Sequence, residues 1–144
     1  MTSIPAVTDK RFDTALLVLR LVVGTIFIMH GYQKVFTIGI ASITTMFTHM
    51  GVPFAALVAP LAAVLELVGG IAIVLGVVTR IAGLLLAIDM FCAILIVHAK
   101  NGFFLPKGME FVFGNMGMAL ALALAGAGAY SISAMMARRG RPAP

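Results

Sequence analysis

The chain has no tryptophan, one cysteine and five acidic residues. A lone cysteine, Cys92, excludes an intramolecular disulfide and a C-x-x-C redox pair. Charged residues make up 10% of the sequence, against about 25% in soluble domains, which excludes a water-soluble globular domain. Walker loops, G-x-G-x-x-G and H-E-x-x-H are absent too, so no motif for nucleotide phosphates or catalytic zinc is written into the chain. The ten methionines are scattered and not set in M-x-x-M blocks. They read as lipid-facing or gap-filling side chains, and no metal site is expected.

What remains is apolar: 62% of 144 residues. Four stretches approach or exceed the roughly 20 residues that cross a bilayer as helix. They run from about Thr14 to Phe36, Phe54 to Val78, Ile81 to Ala99 and Glu110 to Met136. The expected fold is an all-α membrane protein, four transmembrane helices in an antiparallel bundle. The first stretch is too long for a signal-peptide core and lacks a clear cleavage site, so it reads as a retained helix. Between the first two spans, Ile43, Met46, Phe47 and Met50 recur at helical spacing after a candidate cap, Ser42. They predict a short interfacial helix in the first outer loop, ending at the turn Gly51-Val52-Pro53. The domain layout is a polar lead over residues 1–13, a transmembrane domain over 14–136 and a basic tail over 137–144.

The ten basic residues carry no nucleic-acid signature, because they sit mainly at segment ends and there orient the chain. Lys10, Arg11, Arg80, Arg138, Arg139 and Arg141 fall on one side, and Lys34, Lys100 and Lys107 on the other. This asymmetry puts the first side, with both termini, in the cytoplasm.

Polar residues inside apolar helices are expensive, and each is a functional candidate. Arg20, Glu66 and Asp89 are expected in the inner half and middle of the bundle. The expectation is a buried charge pair between Arg20 and Glu66, or Asp89, because a lone buried charge would shift its protonation or be expelled. His30, Lys34, His98 and Glu110 are expected nearer the outer end. They would form a small polar pocket beneath the interfacial helix, with Phe27 and Phe103 as apolar walls. Asp89 and His98 are nine residues apart, about 180° round a regular helix, so they should belong to separate groups. Two stripes of small residues should make close helix contacts: Ala59, Ala62, Ala63, Glu66, Gly69 and Gly70 in the second span, and Glu110, Gly114, Gly117, Ala121 and Gly128 in the fourth.

The segments 19–34 (LRLVVGTIFIMHGYQK), 50–53 (MGVP) and 66–82 (ELVGGIAIVLGVVTRIA), with His98 and then Gly102-Phe103, resemble the DoxX family over roughly residues 16–124. The resemblance implies a small, four-helix, multi-pass protein of the bacterial cytoplasmic (inner) membrane. The family takes its name from a subunit associated with a quinone-reducing, sulfur-oxidising complex, and other members are linked to membrane oxidoreductase assemblies and thiol stress. It also implies that Arg20, His30, Lys34, Glu66, His98 and Glu110 are family polar positions, whereas Asp89 is not carried over. Two function classes follow. One is a redox-linked subunit that binds a quinone or other small amphiphile near the outer face, with an oxidoreductase partner supplying electrons and no autonomous enzyme activity. The other is a non-catalytic scaffold or small-solute carrier whose buried charges serve packing. The histidines suit the first, since imidazole exchanges protons near neutral pH.

Overall fold

A computed structural model describes residues 10–139. Residues 1–9 of the expected lead, and 140–144 of the expected tail with Arg141, lie outside the described residues. Every regular element among the described residues is helical. Helix α1 (Lys10–Tyr32) continues through a wider, π-type turn over Gln33–Ile38, giving one 29-residue run. Then come α2 (Ile40–Met50), α3 (Ala55–Leu75) and α4 (Thr79–Ala93). Helix α4 also widens into a π-type turn, Ile94–His98, before closing at Asn101. Helices α5 (Glu110–Ala125) and α6 (Ile132–Arg139) are the last of the described residues' elements.

Three of these runs are long and apolar enough to cross a membrane: Lys10–Ile38, Ala55–Leu75 and Thr79–Asn101. α5 is a shorter apolar helix of 16 residues. Leu57, Leu61, Val68, Ile81, Leu95 and Leu124 are exposed on the outer faces, as a lipid-facing surface requires.

The helices pack as two tight antiparallel pairs, α1 on α3 and α4 on α5, joined where α3 meets α4. The small stripe of α3 is buried as its spacing predicts: Ala59, Ala62, Ala63, Glu66, Gly69 and Gly70 all face inward. Glycines set the α1–α3 distance. A Cβ on Gly31 would meet Leu67 Cα at 2.7 Å, and one on Gly70 would meet Gly24 O at 2.8 Å. Backbones this close give dispersion contact that larger residues would block.

The stripe expected on α5 faces the other way. Gly114, Gly117 and Ala121 are exposed, and Val112, Asn115, Ala119 and Leu122 form the buried face. The close approach comes from α4 instead, where a Cβ on Gly83 would meet Ala119 O at 2.7 Å.

The expected fourth helix, Glu110 to Met136, is interrupted. α5 stops at Ala125, and Gly126 and Gly128 take positive φ values of 87° and 72°. The reason is Arg20, which is 2% exposed and turns its guanidinium toward this break. Nε donates to Ile73 O at 2.9 Å and Nη2 to Val74 O at 2.7 Å, both at the C-terminal end of α3. Nη1 donates to Ala127 O and Tyr130 O, each at 2.8 Å. Asp13 secures the same turn, its Oδ1 accepting from Ala129 N at 2.8 Å. A guanidinium fork can serve four carbonyls at once, and the carbonyl end of a helix dipole favours a cation. Continuing α5 would use those carbonyls internally and leave the buried charge without partners.

Candidate functional site

Arg20 therefore pairs with neither Glu66 nor Asp89, which corrects the expected inner charge pair. Arg20 stands level with Ile73 and Val74 on α3. Glu66 lies seven residues back from Ile73, roughly 10 Å along the axis. Glu66 pairs instead with Lys34, whose Nζ donates to Glu66 Oε2. Lys34 sits in the widened turn after α1, one helical step beyond Gly31, which touches Leu67. Its long stem can lie along apolar surface and carry the ammonium to a carboxylate that is 3% exposed.

Around this ion pair the helices leave a cavity of about 280 Å³. Its polar lining is His30, Lys34, Glu66, His98 and Asn115, and its apolar walls include Phe27, Met90 and Phe111. Phe47 and Met50 of α2 form part of the lining, so the amphipathic helix covers the cavity as well as connecting two spans. α2 begins two residues before Ser42, and Ile43 N bonds Gly39 O in its first turn.

Of the four outer candidates, His30, Lys34 and His98 line this one cavity, and Glu110 does not. Glu110 opens α5 with its backbone N–H bonded to Phe103 O at 2.8 Å. Phe103 is likewise off the lining, and Phe111 provides an aromatic wall. His30 is exposed and stands with its ring 5.6 Å from that of Phe111. His98 Nδ1 lies 3.3 Å from Lys107 O. A carbonyl can only accept, so this contact puts the proton on Nδ1 and leaves Nε2 an acceptor in the neutral ring.

A second, smaller cavity of about 80 Å³ adjoins the first and shares Lys34, Phe47, Glu66, Met90, Ala93 and Val97 with it. Asp89 lines it, with Oδ2 buried and unpartnered. Asp89 and His98 thus line different cavities, as their spacing predicts, and the two cavities share the Lys34–Glu66 pair.

Sequence reasoning missed Asn115. Its side chain is 1% exposed, lines the larger cavity, and its Oδ1 has no hydrogen-bond partner. The available signal was a single amide within an otherwise apolar and small-residue helix, a placement that is costly unless something bonds it. No group of three metal-ligating His, Cys, Asp or Glu side chains comes together among the described residues. The cavity therefore offers hydrogen bonds and one ion pair inside an apolar wall, the chemistry of a site for a small organic head group.

No solved structure matches the chain. It is 35% identical to "Putative oxidoreductase CatD" of Bacillus subtilis (strain 168) over 95 residues, 66% of this chain and 68% of that protein. It is 33% identical to "Uncharacterized membrane protein Rv3486" of Mycobacterium tuberculosis over 115 residues, 80% of this chain and 69% of that one. The DoxX family model matches residues 15–99, a span that takes in Arg20, His30, Lys34, Glu66 and His98. With that match over more than half its length, a bundle of apolar helices and a relative described as a membrane protein, the chain is a membrane protein that belongs to the DoxX family.

Proposed function

We propose that this protein is a redox-linked subunit of the bacterial cytoplasmic membrane that binds a quinone, or a small amphiphile of similar head group, in the cavity beneath α2. The observation that carries the reading is the cavity itself. It is apolar-walled, about 280 Å³, and lined by the Lys34–Glu66 pair, two histidines and Asn115, whose amide oxygen is buried without a partner. Ligand sites typically enclose roughly 300–1,000 Å³, so this one suits a single ring with its tail leaving toward lipid. Lys34 retains two further N–H donors for a ring oxygen, and His30 and His98 add imidazole nitrogens able to donate or accept hydrogen bonds. A quinone supplies two-electron chemistry when bound. The chain's own residues orient the ring, screen it from bulk water and hold protons, and the electrons come from a partner oxidoreductase. The name of the Bacillus relative supports that placement.

The same reading makes four spans. α5 is roughly 24 Å long at 1.5 Å per residue, short of a hydrocarbon core of about 30 Å. The turn after it, with its carbonyls held by Arg20, extends the crossing, because non-helical backbone is tolerated at membrane depth when buried in protein. Arg11, Arg80, Arg138 and Arg139 then belong to the cytoplasmic end. A reporter active only in the cytoplasm should work when fused after Pro144 and stay silent near Asn101. The opposite pattern would place the cavity on the inner side.

The binding test is direct. Gently purified protein should carry quinone through extraction, and Ala93→Phe, which fills the lining shared by both cavities, should lower its occupancy at least tenfold while the helical content is unchanged. Equal quinone content in wild type and Ala93→Phe would locate the ligand elsewhere.

A further inference from the structure

The larger cavity can reach the surface in three directions, and the residues along each decide between them. Above it, α2 is tied down. Ile43 is buried, α2 packs on α3, and Phe47 and Met50 close the lining from that side. Toward α3 and α4 the way leads through the smaller cavity of about 80 Å³, and the Lys34–Glu66 pair stands on both linings. A ring leaving there would have to break a buried ion pair. The third direction is the seam between α1 and α5. Gly24, Gly31 and Gly70 lock α1 to α3, and Gly83 locks α4 to α5, so α1 and α5 belong to different tight pairs. Of the seams α1–α3, α4–α5, α3–α4 and α1–α5, the last has the sparsest contact.

Two rings close this seam beside the cavity. His30 of α1 and Phe111 of α5 lie with centroids 5.6 Å apart, tilted by 42°. Both line the cavity, and both are also exposed on the outside of the bundle, Phe111 to 41%. His30 in addition lines a shallow hollow on the surface of α1 with Met29, Tyr32, Gln33 and Thr37. One imidazole therefore borders the cavity on one side and the outer surface on the other. Exposed rings in tilted contact turn aside far more readily than a buried ion pair breaks. Gly114, a neighbour of Phe111 on the helix surface, leaves the outside of the seam open, since a Cβ there would meet nothing within 4 Å.

We propose that the His30–Phe111 ring pair is a lateral gate between the cavity and the bilayer. A tailed amphiphile dissolved in lipid passes it head group first and leaves its tail in the α1–α5 seam. The inference rests on the reading of this cavity as an amphiphile site. It narrows the ligand to molecules that partition into the membrane, and it gives the two rings a role in exchange.

The experiment uses the full chain in lipid nanodiscs, with a radiolabelled, decyl-tailed 1,4-benzoquinone bound and then chased by unlabelled excess. Gly114→Phe sets a ring on the outside of the gate, off the cavity lining. It should slow binding and release alike by about tenfold and leave equilibrium occupancy within about twofold, because a gate acts on both rates. Gly117→Phe, equally open but six residues or about 9 Å along the axis from Phe111, should exchange at the wild-type rate. Should Gly114→Phe fail to fold, photolabelling of the wild type decides. A diazirine on the tail carbon beside the ring should mark Ile26, His30, Phe111 or Gly114. Wild-type exchange in Gly114→Phe, equal slowing in Gly117→Phe, or adducts on α2 or on Cys92 beside the smaller cavity would each overturn the gate and leave the cavity as a binding site. Absence of saturable binding overturns the site and the gate together.

Discussion

Arg20→Leu is expected to abolish the folded bundle. The substitution strips donors from the carbonyls of Ile73, Val74, Ala127 and Tyr130, all served by one guanidinium that is 2% exposed. A buried carbonyl left unsatisfied costs about 1–3 kcal/mol. Four such groups together approach the whole stability of a typical domain, about 5–15 kcal/mol. Arg20→Lys should be damaging as well, because a single ammonium cannot reach both the end of α3 and the turn after α5. Loss of two of the four bonds predicts a deficit of about 2–4 kcal/mol. Thermal melts in a mild detergent, with helicity as readout, would register both effects. Adding Glu66→Leu to Arg20→Leu should give no rescue, since the two side chains do not share an interaction. A melting temperature for Arg20→Leu within error of wild type would show that the carbonyls find donors elsewhere.

Arg20 also shows where sequence reading reaches and where it stops. Its burial followed from its place in an apolar run, and the small face of α3 followed from spacing, because both depend only on local periodicity. Its partners did not follow. A cation in a membrane suggests a carboxylate, yet backbone carbonyls at a helix end serve as well, and no residue type announces them. Which acid stands level with which base depends on the offset between helices, fixed here by the Gly31–Leu67 and Gly24–Gly70 contacts. That offset brings Glu66 to Lys34. The two π-type turns, Gln33–Ile38 and Ile94–His98, were equally invisible. They leave the apolar pattern intact while changing the direction of every side chain that follows, and both carry cavity-lining residues, Lys34 in the first and Val97 and His98 in the second. The histidines, the lysine and the covering helix were legible as a group. Asn115 was hidden because the glycines beside it suggested that α5 packs on its small residues, whereas Gly83 of α4 supplies the close approach.

The second large effect concerns the Lys34–Glu66 pair, and its signature is non-additivity. Glu66 is 3% exposed, so removing Lys34 leaves a carboxylate enclosed without its cation, beside Asp89 on the smaller cavity. Breaking a buried pair from one side typically costs about 3–5 kcal/mol. Lys34→Met and Glu66→Gln should each destabilise by an amount in that range, the lysine variant more, because it leaves two acids facing one small space. The double variant should recover most of the loss, since apolar or neutral groups of similar volume replace the pair without stranding a charge. Urea or SDS unfolding of the four proteins closes the cycle, and a coupling of about 2 kcal/mol or more is expected. Function should respond differently from stability. The double variant keeps the bundle and the cavity walls but loses the ammonium that the proposed site would offer to a ring oxygen, so on that proposal it should fold and yet hold no quinone on extraction. Strictly additive stability losses would mean that the two side chains do not meet in the membrane. A double variant that still co-purifies with its full complement of quinone would leave the ion pair a packing device, as in a scaffold whose buried charges only set helix register.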